Sequence, residues 1–200
     1  MESKRTEMLP ALREACLLCR MCDLGWHVAE RAGESLSPHV FSNMRYSKWM
    51  IVGQNPGWNE LQKQTPFVGQ SGVNFDREIN KHGVSRDEFY ITNAVKCFSE
   101  GNSKPTNSVV DTCSSFLKIE MAVMRPKLVI ALGSLAYGCL CDGQFSQNVG
   151  KICVSQKFGV KVFATYHPSP LNLNIESRRK QFEHDIAILC GVIKRAKQQP

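Results

Sequence analysis

The run KWMIVGQNPGWNELQKQTPFVGQSG, residues 48–72, decides how the rest of the chain is read. It opens with Trp49-Met50-Ile51-Val52, an apolar run short enough for a buried strand and stopped by a glycine. In Gly53-Gln54-Asn55-Pro56-Gly57 two glycines bracket a proline, whose fixed φ and missing N–H turn the chain sharply. Gln54 and Asn55 are thereby delivered to the carboxyl end of a strand, where open α/β sheets collect their ligand chemistry. An ordinary strand-to-helix connection would account for the turn alone. The following Pro66-Phe67-Val68-Gly69 carries no charge to justify exposure, and it favours a binding loop.

Two hundred residues with 42% hydrophobic content predict a single domain, residues 1–200, large enough for a real core. A net charge of +7 suits a polyanionic partner, although simply soluble surfaces also carry such an excess. No apolar run approaches the length of a bilayer-crossing helix, and the opening MESKRTEMLPALREAC lacks the apolar core of a secretory signal. An intracellular, cytoplasmic protein acting as a monomer is expected. In a reducing compartment, nine cysteines point to metal ligation or plain burial rather than a disulfide scaffold.

Outward from the opening run, Thr6 to Cys22 reads as a helix ending in Cys16-Leu-Leu-Cys19-Arg-Met-Cys22, two overlapping CxxC pairs. Two sulfurs three residues apart can reach one metal centre, but buried structural cysteines fit equally well. Asp23 to Ser47 reads as a loop. Gly72 to His82 is an amphipathic helix closed by Gly83. Phe89-Tyr90-Ile91-Thr92 is a second strand, with Asn93 where it stops, and a polar loop bearing Lys96-Cys97 follows. Asn107 to Met124 is a helix capped by Asn107 or Ser108 and containing Cys113. Lys127 to Leu132 is a third strand, after which Gly133-Ser134 opens a short helix whose N–H groups could meet a phosphate. Cys139, Cys141 and Cys153 lack regular ligand spacing and read as structural. Val160 to Tyr166 is a fourth strand that delivers His167-Pro-Ser-Pro-Leu-Asn172, and Glu176 to Lys197 is a closing helix with a basic entrance at Arg178-Arg179-Lys180. Strands separated by helices predict a three-layer α/β/α fold around a four-stranded parallel sheet. Three strands then hand polar groups to one rim: Gln54 with Asn55, Asn93, and His167.

These residues resemble the uracil-DNA glycosylase superfamily, and most of all its iron-sulfur family 4, from Cys19 to about Asp185. That family pairs an early CxxC with a GE(A/G)PG turn, PFVGxxG, YITN, a Lys-Cys pair, another Cys, a strand ending in LG, and TYHPS. The counterparts here are Cys19-Arg-Met-Cys22, Gly53-Gln-Asn-Pro-Gly57, Pro66-Phe-Val-Gly69, Tyr90-Ile-Thr-Asn93, Lys96-Cys97, Cys113, Leu132-Gly133 and Thr165-Tyr-His-Pro-Ser169. The resemblance implies a monofunctional DNA glycosylase that flips out a pyrimidine and hydrolyses its N-glycosidic bond, leaving an abasic site. It implies that Cys19, Cys22, Cys97 and Cys113 hold a structural [4Fe-4S] cluster with Cys16 left over; four thiolates also suit zinc. It further implies that Asn93 bonds the pyrimidine edge, Phe67 stacks on its face, and His167 donates to the base oxygen as negative charge develops. Leu171 falls where relatives insert a wedge, and Ser134, Ser169, Arg178, Arg179 and Lys180 become phosphate contacts on single- or double-stranded DNA.

The chain departs from family 4 at its most reactive position. Gln54 stands where a Glu is usual, and Asn55 where Ala or Gly is usual. Asn55 instead matches the GxNPG turns of the mismatch-specific and single-strand-selective branches, where that Asn orients water. Glu60 aligns with an acidic family position and could supply the missing charge, or be a solvated loop acid. Gly57 stands where family 1 has a Tyr that bars a 5-methyl group, so uracil is the first substrate expected and a C5-modified pyrimidine the second. No His lies between Lys96 and Thr106, which argues against the covalent-capture branch. The rival from another class is a catalytically reduced DNA-binding protein that recognises damaged or modified bases.

Overall fold

The computed structural model describes residues 7–25 and 37–198. Helix α1 (Met8–Leu17) precedes strand β1 (Trp49–Gly53), and α2 (Trp58–Lys63) and α3 (Gln70–Lys81) lead to β2 (Tyr90–Asn93). Helix α4 (Asn107–Met124) leads to β3 (Leu128–Leu132), then α5 (Ser134–Leu140), α6 (Phe145–Asn148), β4 (Ile152–Val154) and β5 (Lys161–Thr165). The chain closes with α7 (Pro170–Leu173) and α8 (Glu176–Gln198).

The sheet order is β2-β1-β3-β5-β4. The first four strands pair in parallel, and β4 pairs antiparallel with β5 at the edge. The expected four-stranded parallel sheet is therefore present with a fifth, short strand added. That strand is hidden in the sequence because Ile152 and Val154 face solvent, so no buried apolar run marks it.

Side chains alternate across the pleat into two cores, as the period of a strand requires. Met50, Val52, Val129 and Ala131 pack with Leu9 and Leu12 of α1, Phe116 and Leu117 of α4, and α5. Trp49, Ile51, Leu128 and Ile130 pack on the other face with Phe75 and Ile79 of α3 and Phe182, Ile186 and Leu189 of α8. Burial on both faces explains why these strands read as continuous apolar runs.

Several boundaries move from their expected places. Helix α1 ends at Leu17, so Cys19 and Cys22 stand in the turn beyond it rather than on its last turns. Much of the expected loop between Asp23 and Ser47, residues 26–36, lies outside the described residues, as does Thr6 at the start of the first expected helix. The α4 cap is Thr106, whose hydroxyl accepts from Val109 N, instead of Asn107 or Ser108. Gly83 takes φ +64 just past α3, the left-handed value a helix-ending glycine supplies.

One ion pair lies inside the fold. The Lys96 ammonium, 1% exposed, meets Glu120, 0% exposed, at 2.5 Å and also donates to the Asn93 carbonyl and the Thr92 hydroxyl. Tyr90 and Thr92 donate to the other Glu120 oxygen. Removing one partner strands the other charge in an apolar core, which costs ~3–5 kcal/mol. Lys96→Met should lower unfolding free energy in denaturant titrations by about that much. Adding Glu120→Leu to it should recover a large part of the loss; an additive double variant would contradict the assigned pairing.

Candidate active site

Strands β1 and β3 are neighbours, yet the chain leaves β1 to build β2 on one side before crossing back to β3 on the other. Such a switch point opens a crevice at the carboxyl ends of the strands. A cavity of about 300 Å³ lies there. Gln54 and Asn55 reach it from β1, Asn93 from β2, Gly133 and Ser134 from β3, and His167 from β5. Gly57, Phe67 and Ser169 add to the wall from the connecting loops, Glu60 from α2 and Leu171 from α7. The convergence expected of the strand ends is therefore what the fold delivers.

The turn and the Phe67 loop are locked to one another by Glu60. Its Oε2 accepts from Gly57 N at 3.0 Å, and its Oε1 accepts from Val68 N at 2.8 Å and Gly69 N at 2.6 Å. Glu60 is buried, so the reading of it as a solvated loop acid is set aside. A Cβ on Gly57 would stand 2.8 Å from Glu60 Oε2, so the glycine makes room for this carboxylate. The clasp holds Phe67 at φ +55, a conformation that a bulky residue adopts only when its surroundings impose it.

Phe67 lies against Gly53, where any Cβ would collide with the Phe67 ring and with Asn93 Oδ1. Its ring centroid stands 5.8 Å from that of His167, with the planes tilted at 45°. Desolvation in the cavity wall pushes the His167 pKa down to about 4, opposed in part by the Glu60 carboxylate. The imidazole is thus neutral at ordinary pH. Asn172 Nδ2 fixes the loop by donating to the His167 carbonyl at 3.0 Å.

Asn55 has a divided role. Its amide nitrogen donates to Ser99 Oγ at 3.0 Å and to the Pro56 carbonyl at 3.1 Å, while its oxygen accepts from Gln54 Nε2 at 2.8 Å. One lone pair of Oδ1 is left to accept from a water. Asn93 is 1% exposed, and its Nδ2 is the buried side-chain atom without a partner among the described residues.

The basic entrance of α8 is less open than its sequence suggests. Arg178 donates to Asn172 Oδ1 at 2.9 Å and covers the Tyr166 ring. Arg179 and Lys180 pair along the helix with Glu183 and Glu176, and neither lines the cavity. Leu171, by contrast, is 84% exposed at the mouth. Ser71, Asn102 and Asn172 also line the cavity; Asn172 closes the segment that the fourth strand delivers, whereas Ser71 and Asn102 have no expected role. Only proximity in the fold distinguishes Ser71 and Asn102 from ordinary polar loop residues.

Behind β2, Cys16, Cys19, Cys22, Cys97 and Cys113 line one small cavity together with His39. His39 Nε2 donates to the Cys19 carbonyl at 2.9 Å, which leaves Nδ1 to accept from the Ser37 hydroxyl. Lys96 N donates to Cys113 Sγ at 3.3 Å. Burial raises the Cys97 and Cys113 thiols and pushes Cys16 up to about 12. No set of three His, Cys, Asp or Glu side chains among the described residues is arranged around a single metal ion.

Fold and cavity together define an α/β protein with a small polar site at a topological switch point. Residues 40–189 match the family model described as the Uracil DNA glycosylase superfamily. The Type-4 uracil-DNA glycosylase of Archaeoglobus fulgidus is 31% identical over 205 residues, spanning 97% of this chain and 96% of the relative. That of Sulfurisphaera tokodaii is 30% identical, spanning 90% and 82%. The Type-5 uracil-DNA glycosylase of Pyrobaculum aerophilum is 42% identical, spanning 65% and 72%. The chain belongs to the uracil-DNA glycosylase superfamily. It is a DNA glycosylase, an enzyme that hydrolyses N-glycosyl bonds.

Proposed function

We propose that this glycosylase takes uracil, extruded from DNA, into the cavity and cuts its bond to the sugar, leaving an abasic site. The observation that carries this reading is the orphaned Asn93 Nδ2. A buried donor without an acceptor costs ~1–3 kcal/mol, a penalty removed by a ligand carbonyl. Uracil brings O4 to such a position, whereas cytosine brings an amino group and sets donor against donor.

Phe67 supplies a flat apolar wall for the base, and Asn93 Oδ1 can accept from its N3–H. His167, neutral and held by Asn172, donates to O2 as the C1′–N1 bond breaks and charge moves onto the base. Water enters against Asn55 Oδ1, forms the C1′–O bond, and loses a proton that the departing base finally takes up. Gln54 keeps the Asn55 oxygen aimed, which suffices because an oxocarbenium-like centre needs an oriented water more than a strong base. Glu60 spends its carboxylate on backbone N–H groups, so its part is to hold turn and loop in register. Ser134 and Ser169 are the phosphate contacts at the mouth, and Leu171 is the wedge. Gly57 puts no side chain into the wall, which keeps C5-modified pyrimidines as a second substrate class. A DNA-acting enzyme of this kind works inside the cell.

Cys19, Cys22, Cys97 and Cys113 would hold a [4Fe-4S] cluster. What supports this reading is the chemistry of the donor set: thiols from three separate segments line one cavity, and a backbone N–H already donates to one of them. When bound, the cluster supplies a cross-link between the α1 end, the loop after β2 and α4.

Oligonucleotides carrying uracil, cytosine or C5-modified pyrimidines, followed by alkaline cleavage of abasic sites, test the function. Release of uracil is expected, and DNA binding without release of any base would overturn it. His167→Ala should slow release by ~100-fold or more with little loss of DNA binding. Because His167 is already neutral above about pH 4, the wild-type profile should show no inflection near the ordinary histidine value. A limb there that vanishes in His167→Asn would contradict the assignment.

The purified protein should be brown, with broad visible absorbance and iron and sulfide in equal amounts. Cys97→Ser should bleach it. A colourless protein with one equivalent of zinc would contradict the cluster.

A further inference from the structure

The turn that walls the cavity has a second side. Gln54, Asn55 and Gly57 line the cavity, but Trp58, the next residue and the first of α2, leaves the turn 51% exposed. Its ring meets Phe98 edge-on, with centroids 5.8 Å apart and planes at 63°. Phe98 is itself buried, so it backs the indole without competing for its open face. Ser99, next in the chain, takes the Asn55 amide hydrogen bond, and Asn102 of the same loop lines the cavity. The aromatic pair therefore sits where the two wall-forming segments join. Sheet order sets it on the β1 side of the mouth, with Leu171 on the β5 side.

We propose that Trp58, backed by Phe98, is a stacking platform for the nucleobase beside the extruded one, and that the substrate this mouth fits best is single-stranded DNA. This rests on the reading of the cavity as the seat of a base extruded from DNA. The nucleotides adjoining that base lie within one backbone step of the mouth. In a duplex, pairing holds such a neighbour in the helix by its edge, its outer face stays stacked, and its inner face borders the gap that Leu171 fills. In a single strand no pairing holds the neighbour, so it can turn out and lay a face on an indole, as any base can. Leu171 has no flat face and suits the gap left in a stack, so the two exposed apolar side chains divide the work. The net charge of +7 supplies long-range attraction for DNA in either form, so the choice between forms falls to the aromatic pair.

The test uses the full chain with Trp58→Ala and Trp58→Phe, and a uracil oligonucleotide presented alone or in a duplex. Trp58→Ala should raise KM on the single strand by ~10-fold or more, with the effect falling on KM rather than kcat. Trp58→Phe should lose less, and the duplex KM should move less than the single-strand KM. Independently of catalysis, a single-stranded oligothymidylate should quench the indole emission of the wild type and quench Trp58→Phe less. Normal base release with an unmoved single-strand KM, or equal KM rises on both substrates, overturns the platform and leaves the glycosylase reading standing. Trp58-dependent quenching without release of any base supports the platform and overturns the glycosylase reading instead.

Discussion

The central parallel strands are apolar on both faces, so polar side chains can stand only where those strands stop. Four strands run the same way and stop at the same rim, and their terminal residues are Gly53, Asn93, Leu132 and Thr165. Just beyond these ends stands the polar chemistry of the molecule: Gln54 and Asn55, Lys96 and Cys97, Gly133 and Ser134, His167 and Ser169. The sheet is in this sense a device for bringing residues from across the chain to one crevice, and its order puts that crevice between β1 and β3.

Rigidity at the rim comes from charges used internally. Glu60 ties the Asn55 turn to the Phe67 loop through three backbone N–H groups, and the strained Phe67 backbone persists because that clasp over-determines it. Beneath Asn93, the Lys96 ammonium grips its carbonyl, while the Lys96 N–H reaches the Cys113 sulfur. The Asn93 side of the cavity and the cysteine cavity thus share one residue, Lys96.

Much of this is legible in the sequence because it depends on local patterns. Apolar runs ending at Gly or Asn mark β1, β2 and β3, the run Val160 to Tyr166 marks β5, and the rim placement of Asn55, Asn93 and His167 comes from the strands alone. The edge strand β4 is not legible, since it buries no apolar face. Helix α2 escapes notice because its burial comes from Glu60 and Leu61, and a buried acid breaks the pattern by which helices are recognised. The burial of Glu60 and the pairing of Arg178 with Asn172 depend on how the adjoining loops fold back, to which no helix or strand periodicity points. Ser71 and Asn102 reach the cavity by tertiary approach alone.

The central claim is that the unpartnered amide nitrogen of Asn93 waits for a carbonyl oxygen on the base. Asn93→Asp replaces that donor with an acceptor and leaves the shape of the side chain almost as it was. Base release from matched uracil and cytosine oligonucleotides measures the consequence directly. The account predicts that uracil release falls by ~100-fold or more while cytosine release appears, because the new carboxylate accepts from the cytosine amino group. Retained uracil release with no activity on cytosine would contradict it.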